Sequence, residues 1–298
     1  MHLVSIYKMD FKCLYNDITI LIVMYEESYD IISKNLQNIT KFKKIIIDNS
    51  NNKILKTKIQ NQFFIEDYIL NTKNLGYSKA YNHAVSLSKT RFSLILNPDC
   101  IIYEEDIFKL YNAFSIYNNC FISIPTSYDD NSNPNYCGGL LPEKDLTKEI
   151  VAKLSGDICI ETAISSCWLL ENKSFIKIGL FDETFFLYFA DDDLCNRVKK
   201  IKKSVIQVYD SKCFHKHGVS KVRNIYKRIF LKEYNFVFDS LYYFHKHSNN
   251  QLFLDYYKNK IPKLFFKLFT KCIFFQLKDF IKTLSKIIAY YKFLNFIR

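Results

Sequence analysis

The chain lacks the sequence features that mark membrane-spanning and secreted proteins. It has no stretch of about 18 uncharged apolar residues, so we expect no transmembrane helix. Residues 1–17 lack the basic start, apolar run and small-residue cleavage site of a secretory signal. The nine cysteines occur singly, without a C-x-x-C pair or zinc-like spacing. These absences predict a cytoplasmic protein with reduced thiols.

The positive charge is confined to one end of the chain. Residues 1–220 contain 26 Lys and Arg against 26 Asp and Glu, whereas residues 221–298 contain 16 against 4 and account for the whole net charge of +12. No known nucleic-acid motif accompanies this charge, so we expect no nucleic-acid partner. We predict two parts: a domain over residues 1–220 and a basic, aromatic helical extension over residues 221–298.

The segment order over the first half of the chain is typical of a parallel sheet with crossover helices. Strands are predicted at residues 18–25, 44–48, 63–70 and 92–96, with helices at 28–39 and 78–88. Later strands are predicted at 136–141, 163–170 and 205–209, and later helices at 172–178 and 194–203. Ligands bind at the carboxyl ends of such strands, where Asp48 and Asp99 lie. The sequence therefore predicts an α/β fold with a nucleotide at this edge.

Asn97, Pro98 and Asp99 directly follow a predicted strand. A carboxylate at a strand end, next to a rigid proline, can hold Mg²⁺ or Mn²⁺ while a diphosphate supplies further oxygens. The same residue types are common in turns, so a turn that merely closes the strand is the alternative.

Three adjacent carboxylates, Asp191, Asp192 and Asp193, separate an aromatic run from a predicted basic helix. Acidic residues at a helix N-terminus interact favourably with the helix dipole, which is one explanation for them. Three neighbouring carboxylates also repel one another, and the aromatic side chains exclude water. Such surroundings can raise the pKa of one carboxylate toward the range useful for a general base.

Two further segments have more than one interpretation. His215 and His217 share one face if their segment is extended, which suits a metal or phosphate site, but they could equally be a solvent-facing pair. The segment from Asn74 to Tyr77, with Asn82 beyond it, resembles a glycine-opened helix start. That start could meet a phosphate or be an ordinary loop.

In order, these segments resemble the bacterial family-2 glycosyltransferases, particularly the rhamnosyltransferases of O-antigen and capsule assembly. The likeness spans residues 18–220. Its most specific part is acidic and aromatic, and runs from Gly179 through Phe181, Asp182 and Glu183 to Arg197. The other matching segments are 18–25, 47–49, 74–77 with Asn82, 96–99 and 215–220.

The resemblance implies a GT-A fold, in which a Rossmann-like mixed sheet is flanked by helices, and an inverting reaction with Mg²⁺ or Mn²⁺. It implies that Asp191 is the base that deprotonates an acceptor hydroxyl, that Asp48 bonds a pyrimidine base, and that Asp99 lies on the metal and ribose side of the donor. His215 would approach the metal or the diphosphate. The implied donor-binding set is Tyr25, Asp48, Asn74, Gly76, Asn82, Asn97 and Asp99, and the acceptor-side candidates are Trp168, Asp193 and Arg197.

The implied reaction moves a sugar from a dTDP- or UDP-sugar, with dTDP-rhamnose as the best single guess, to a lipid-linked saccharide in surface-polysaccharide synthesis. Two residues depart from the family pattern. Ala190 stands where the family has Glu before the base, and Asn97 replaces the first Asp of an Asp-x-Asp motif. Both favour an alternative, a catalytically impaired homologue that binds a nucleotide-sugar or serves as a membrane-associated scaffold.

Lysines recur with helical spacing after Pro262. If the segment is one continuous helix, seven of them project within an arc of about 140°. This stripe, with its aromatic flanks, predicts peripheral attachment to the anionic inner face of the plasma membrane, where lipid-linked acceptors reside. A helix packed on the catalytic domain with its lysines in water is one alternative, and a protein that acts through this tail alone is another. The lysines are Lys263, Lys267, Lys271, Lys278, Lys282, Lys286 and Lys292.

Overall fold

A computed structural model describes residues 11–129, 131–135, 138–142, 155–215, 224–247 and 251–298. Its strands are β1 (Ile18–Met24), β2 (Lys43–Asp48), β3 (Asp67–Leu70), β4 (Phe92–Leu96), β5 (Cys100–Ile102), β6 (Cys120–Tyr128), β7 (Gly138–Gly139), β8 (Ile158–Ile160), β9 (Thr162–Ala163), β10 (Cys167–Glu171) and β11 (Ser204–His215). Its helices are α1 (Phe11–Asp17), α2 (Tyr29–Gln37), α3 (Lys53–Gln60), α4 (Tyr77–Leu87), α5 (Glu104–Ile116), α6 (Asn172–Lys177), α7 (Ala190–Lys200), α8 (Ile225–His247), α9 (Gln251–Ile273) and α10 (Leu277–Phe296).

A mixed sheet in the order β3-β2-β1-β4-β10-β6-β11-β5, with β8 also paired to β11, forms the centre of the fold. Strands β3, β2, β1 and β4 run parallel. Strand β10 is antiparallel to both β4 and β6, and β11 runs parallel to β6. The small strands β7 and β9 pair separately. The predicted α/β fold, a mixed sheet with flanking helices, is confirmed.

Two hydrophobic cores cover the two faces of this sheet. Successive side chains of a strand point to opposite faces, so Leu21 of β1 lies in one core while Ile20 and Ile22 lie in the other. Because both faces are covered, these strands are apolar along their whole length rather than alternating.

The structure changes the bounds of several predicted elements. The strand predicted at 63–70 begins only at Asp67, and that predicted at 136–141 is Gly138–Gly139 within the described residues. Three further changes lie close to the predicted site. The strand predicted at 163–170 is interrupted, because Ser165 and Ser166 form a turn between β9 and β10. The helix predicted at 194–203 begins at Ala190, after Phe189 adopts a left-handed backbone with φ 61°. The last strand extends beyond residue 209 to His215, because β5 and β6 continue to pair with it.

The C-terminal helices are attached to the sheet domain through α8. Tyr243 of α8 is fully buried in one of the two sheet-covering cores. Farther along the chain, α10 packs against α8 through a third core that contains Val237, Leu241, Ala289 and Phe293. The division of the chain at residue 220 stays a prediction, and the structure adds that α8 shares a core with the residues before that point.

The seven lysines do not lie on one helix, so that part of the prediction was wrong. The chain turns between Ile273 and Leu277, where Phe275 has a left-handed backbone with φ 52°. Lys263, Lys267 and Lys271 therefore belong to α9, and the other four belong to α10. Within the described ranges, no helix is both long and apolar enough to cross a bilayer.

Candidate active site

The carboxyl ends of the central strands bring two predicted metal ligands together. Asp99 follows β4 directly, and His215 is the last residue of β11, where it pairs in register with Cys100. Asp99 Oδ1 lies 3.3 Å from His215 Nε2, and both side chains are largely buried, with exposed fractions of 14% and 7%. His217, the other histidine of the predicted pair, lies outside the described residues.

A single turn connects this pair to the predicted base. The backbone N–H of Ser165 donates to Asp191 Oδ2 at 3.4 Å. The next residue, Ser166, accepts a hydrogen bond from the backbone N–H of Asn97 at 2.8 Å. Asp191 and the segment that carries Asp99 are therefore held by neighbouring residues of one turn.

The three adjacent carboxylates have different surroundings. Asp192 and Asp193 are buried, whereas Asp191 is partly exposed. The hydroxyl of Thr162 donates to Asp192, and Asp193 is enclosed by cationic side chains. Of the three, Asp191 is therefore the carboxylate that a substrate can reach.

The predicted donor-side glycine is packed against the aromatic run that precedes Asp191. Gly76 has φ 82°, and a Cβ atom at this position would lie 2.6 Å from the carbonyl oxygen of Phe186. That carbonyl also accepts a hydrogen bond from the N–H of Tyr77 at 2.6 Å. Only glycine permits so close an approach with this backbone, so the donor edge and the loop before the base are fixed relative to each other.

A cavity of about 830 Å³ opens along this edge. Of the predicted donor-binding residues, Tyr25, Asn74 and Gly76 line it. Asp99, Asp191 and His215 are not among the residues that line the cavity, which extends instead toward α8 and α10. Three members of the predicted donor set therefore line the cavity, whereas Asp99 lies apart from it in the pair with His215.

Two predicted donor-binding residues have their polar atoms occupied within the protein. Asp48 is fully buried, and its carboxylate accepts hydrogen bonds from the N–H of Ser50 at 2.8 Å and the hydroxyl of Tyr68 at 3.2 Å. Burial, followed by the charge of Asp48, raises the pKa of Tyr68. The amide of Asn82 bonds both backbone groups of Phe181, at 2.9 and 3.0 Å, and so connects α4 to the acidic and aromatic segment.

The three acceptor-side candidates are all engaged in internal contacts. Trp168 is fully buried in the core, where its ring stacks on Phe181 at a centroid distance of 6.4 Å. Arg197 pairs with Asp193 at 2.9 Å and donates to the carbonyl oxygens of Ile178 and Leu180. The structure gives these residues packing and positioning contacts, and an acceptor-side role for them stays a prediction.

Sequence reasoning missed the contribution of α8. The carboxylate of Asp239 is fully buried and accepts hydrogen bonds from three consecutive backbone N–H groups, those of Phe186, Leu187 and Tyr188, at 3.3, 2.9 and 2.9 Å. Burial raises the pKa of Asp239 to about 6, against the opposing effect of these bonds. The sequence does contain a signal for this contact, because Asp239 is an isolated acid within an otherwise apolar and aromatic stretch of the helix.

The end of α8 also contacts the helix that carries Asp191. Asp193 accepts from His247 Nε2 and Lys246 Nζ, both at 2.7 Å. Burial alone would raise the pKa of Asp193, but the bond from His247 and the charges of Arg197 and Lys246 outweigh it and hold that pKa below its ordinary value. The first turn of α7 is therefore anchored by α8.

Comparison with known proteins identifies the family. Residues 19–179, more than half of the chain, match the family described as glycosyl transferase family 2. The chain belongs to this family. The glycosyltransferase is 27% identical over 225 residues to the low-salt glycan biosynthesis hexosyltransferase Agl10 of Haloferax volcanii, a match that covers 70% of each protein.

A solved structure shows the fold of this glycosyltransferase to be GT-A. A crystal structure of GalNAc-T7 with UDP, GalNAc and Mn²⁺ superposes with a TM-score of 0.55 at 12% sequence identity. The match covers 84% of this chain and 58% of the GalNAc-T7 chain, so the glycosyltransferase spans little more than half of that neighbour. The predicted GT-A fold and family-2 membership are confirmed, and the particular likeness to rhamnosyltransferases stays a prediction.

The Asp99–His215 pair fits a divalent metal that is bound together with substrate. The described residues contain no cluster of three or more potential protein ligands. One carboxylate and one imidazole leave most coordination positions for phosphate oxygens and water, which is the pattern expected when a metal is bound through a nucleoside diphosphate.

Proposed function

We propose that this glycosyltransferase transfers a hexosyl group from a UDP- or dTDP-sugar with inversion, and that Asp191 is its catalytic base. The observation that carries the proposal is the Ser165–Ser166 turn, which bonds Asp191 on one side and the Asn97 segment on the other. A base and a leaving-group site on opposite sides of one turn suit displacement at a carbon between them. The name of the Haloferax volcanii relative supports a hexosyl donor.

In the proposed reaction, Asp191 removes the proton from an acceptor hydroxyl. The acceptor oxygen then forms a bond to the anomeric carbon, and the bond from that carbon to the diphosphate breaks on the opposite face. Asp99 and His215 would hold Mg²⁺ or Mn²⁺, which neutralises charge that grows on the departing diphosphate. Asn74 and Gly76, which line the cavity, would orient the nucleotide.

We further propose that the acceptor is a lipid-linked saccharide at an anionic membrane surface, with rhamnose in a surface polysaccharide as the best single guess for the sugar. Support comes from the turn between α9 and α10. Phe274 and Phe275 in this turn expose 69% and 93% of their surface, and Phe266 on α9 exposes 71%. Exposed lysines flank these rings at Lys267 and Lys278. Adjacent aromatic and basic side chains are typical of surfaces that bind the headgroup region of a bilayer.

An impaired homologue is the alternative function. Ala190 is packed in the hydrophobic core, so this position supplies no charge next to the base. Asn97 supplies no carboxylate beside Asp99. Both observations favour a protein that binds a nucleotide-sugar without turning it over.

Thermal unfolding with UDP-glucose or dTDP-rhamnose in the presence of Mn²⁺, followed by a hydrolysis assay, separates the two functions. A bound ligand raises the unfolding temperature by mass action. The proposed enzyme shows both stabilisation and metal-dependent hydrolysis, whereas the impaired homologue shows stabilisation alone. Absence of stabilisation by any nucleotide-sugar would contradict both.

Asp99→Ala tests the metal side in the same assays. Because the variant removes a ligand, we expect donor and Mn²⁺ affinity to fall together, and added Mn²⁺ to restore part of the activity. Lys292→Gln, a change at an exposed residue that lies outside the cavity, is the control. An unchanged metal dependence of Asp99→Ala would rule out the role given to Asp99.

A further inference from the structure

The cavity at the donor edge has one wall built by the C-terminal extension. Its sheet-domain side is formed by Tyr25, Asn74 and Gly76, and its opposite side by the first turns of α8 and α10. These helix turns contribute four cationic side chains against two carboxylates. The cations are Arg228, Lys232, Lys278 and Lys282, and the carboxylates are Glu233 and Asp279.

Three of these cations lie outside the ion pairs that the two cavity carboxylates form. Glu233 pairs with Lys282 at 3.5 Å and with Lys286 at 3.1 Å, and Asp279 lies 3.8 Å from Lys271. Both carboxylates of the cavity therefore form ion pairs with lysines other than Lys278. Over the part of the chain that the structure describes, Arg228, Lys232 and Lys278 form no ion pair.

The cationic wall is held against the donor edge by specific contacts. Lys227, in the first turn of α8, lies 3.2 Å from Glu26 and 5.2 Å from the ring centroid of Tyr25, directly after β1. On the neighbouring side, Asp239 of α8 binds the loop that contributes Phe186 to the cavity. These contacts hold the cationic side of the cavity in place against its sheet-domain side.

We propose that this wall is a binding site for a phosphate group, with Arg228, Lys232 and Lys278 as its ligands. The proposal rests on the proposed function, because both substrates of that reaction carry phosphate: the diphosphate of the donor and the phosphate that joins a saccharide acceptor to its lipid. Arginine and lysine side chains are the usual partners of phosphate oxygens, and their charge-assisted hydrogen bonds are stronger than neutral ones.

The site also gives the extension a role in substrate binding. Asn97 leaves the metal side with one carboxylate fewer than an Asp-x-Asp motif would supply. Cations on the facing wall supply positive charge to a phosphate without a metal. The positive charge of residues 221–298 thus acts on a phosphate in the cavity as well as on any membrane surface.

Isothermal titration calorimetry with UDP and, separately, with geranyl phosphate tests the site and distinguishes the two sources. The test variant is Arg228→Gln/Lys232→Gln/Lys278→Gln. Its matched control is Lys258→Gln/Lys263→Gln/Lys292→Gln, which removes the same charge from exposed residues that do not line the cavity. We expect the test variant to weaken binding of one of the two ligands by at least about tenfold.

A loss for UDP assigns the site to the donor diphosphate, and a loss for geranyl phosphate assigns it to a lipid-linked acceptor. Equal affinities of wild type and test variant for both ligands would overturn the phosphate site, while UDP binding itself would leave the proposed function standing. An equal loss in the control variant would also overturn it, because general charge would then explain the effect. Failure of the wild type to bind either ligand would overturn both proposals.

Discussion

The sheet edge and the C-terminal helices differ in the sign and the exposure of their charged side chains. At the sheet edge, Asp48, Asp192 and Asp193 are buried and bonded within the protein, and Asp191 is the partly exposed member of its cluster. In the helices, cations such as Arg228 and Lys278 are exposed around a cavity. The edge therefore exposes one carboxylate of the cluster, whereas the helices present positive charge to a cavity.

The two regions also depend on each other. Asp239 of α8 binds the backbone of the loop before Asp191, and Lys246 and His247 bind Asp193 on the same helix as the base. The extension thus helps to fix the loop and the helix that flank Asp191, the proposed base. Substitutions in each region can therefore test whether the two proposed roles, reaction at the sheet edge and ligand binding by the helices, are separable.

The largest expected effect is at the base. In Asp191→Asn the amide is nearly isosteric but cannot accept the proton, so we expect turnover to fall by about 10²-fold or more. Donor affinity should stay near that of the wild type, because the cavity lining is unchanged. Initial rates and calorimetric titration of UDP measure the two quantities. If most of the rate survives, the base lies elsewhere, and the division of roles at this edge is wrong.

Asp239→Ala tests the connection between the regions. The change leaves three partly buried backbone N–H groups without their acceptor, so we expect the free energy of unfolding to fall by about 1–3 kcal/mol. Chemical denaturation measures this loss. Asp210→Ala, which removes an exposed acid from strand β11, is the comparison and should change stability little. Equal stability of the Asp239 variant and wild type would show that α8 does not hold the loop.

The aromatic turn tests whether the helices bind a membrane independently of the edge. Phe274→Ser/Phe275→Ser should weaken binding to anionic vesicles by about tenfold or more, because burial of each ring contributes about 1.5–3 kcal/mol. Ile54→Ser/Phe64→Ser, at residues of the sheet domain with exposed fractions of 84% and 68%, is the control. Sedimentation with vesicles gives the affinity. Equal binding by both variants would exclude this turn as the contact.

The candidate residues at the sheet edge could be predicted from the sequence because they lie in short, contiguous motifs. Asn97, Asp99 and the segment up to Arg197 lie in short runs whose order is specific, and Asp99 and His215 do come together. The burial of Trp168 and Asp193 could not be predicted, because it depends on contacts with residues far along the chain. The bonds of Asp239 are of this kind, since they join residues about 50 positions apart.

The C-terminal turn escaped prediction for a different reason. Residues 273–277 contain no glycine or proline, so no stop signal marks the end of α9. The lysine spacing is consistent with one helix, and only the packing of α10 on α8 shows that the chain reverses. Charge counts located the basic region correctly, but they could not show that Arg228 and Lys278, 50 residues apart, line one cavity.

The smallest expected effect concerns pH, and it sharpens the comparison between buried acids of the two regions. The pKa of Asp239 is raised to about 6, so the folded protein binds more protons at this site than the unfolded chain does between about pH 4 and 6. Its contribution to stability therefore falls as pH rises through that range. Asp193 behaves in the opposite sense, because its pKa is lowered and its stabilisation is lost as pH falls.

The variant Asp239→Asn removes the pH dependence that arises from Asp239 and leaves the one that arises from Asp193. The stability of wild type relative to Asp239→Asn should consequently decline from pH 4 to pH 6.5 in urea unfolding experiments, and a difference that stays constant over this range would show that Asp239 does not titrate there.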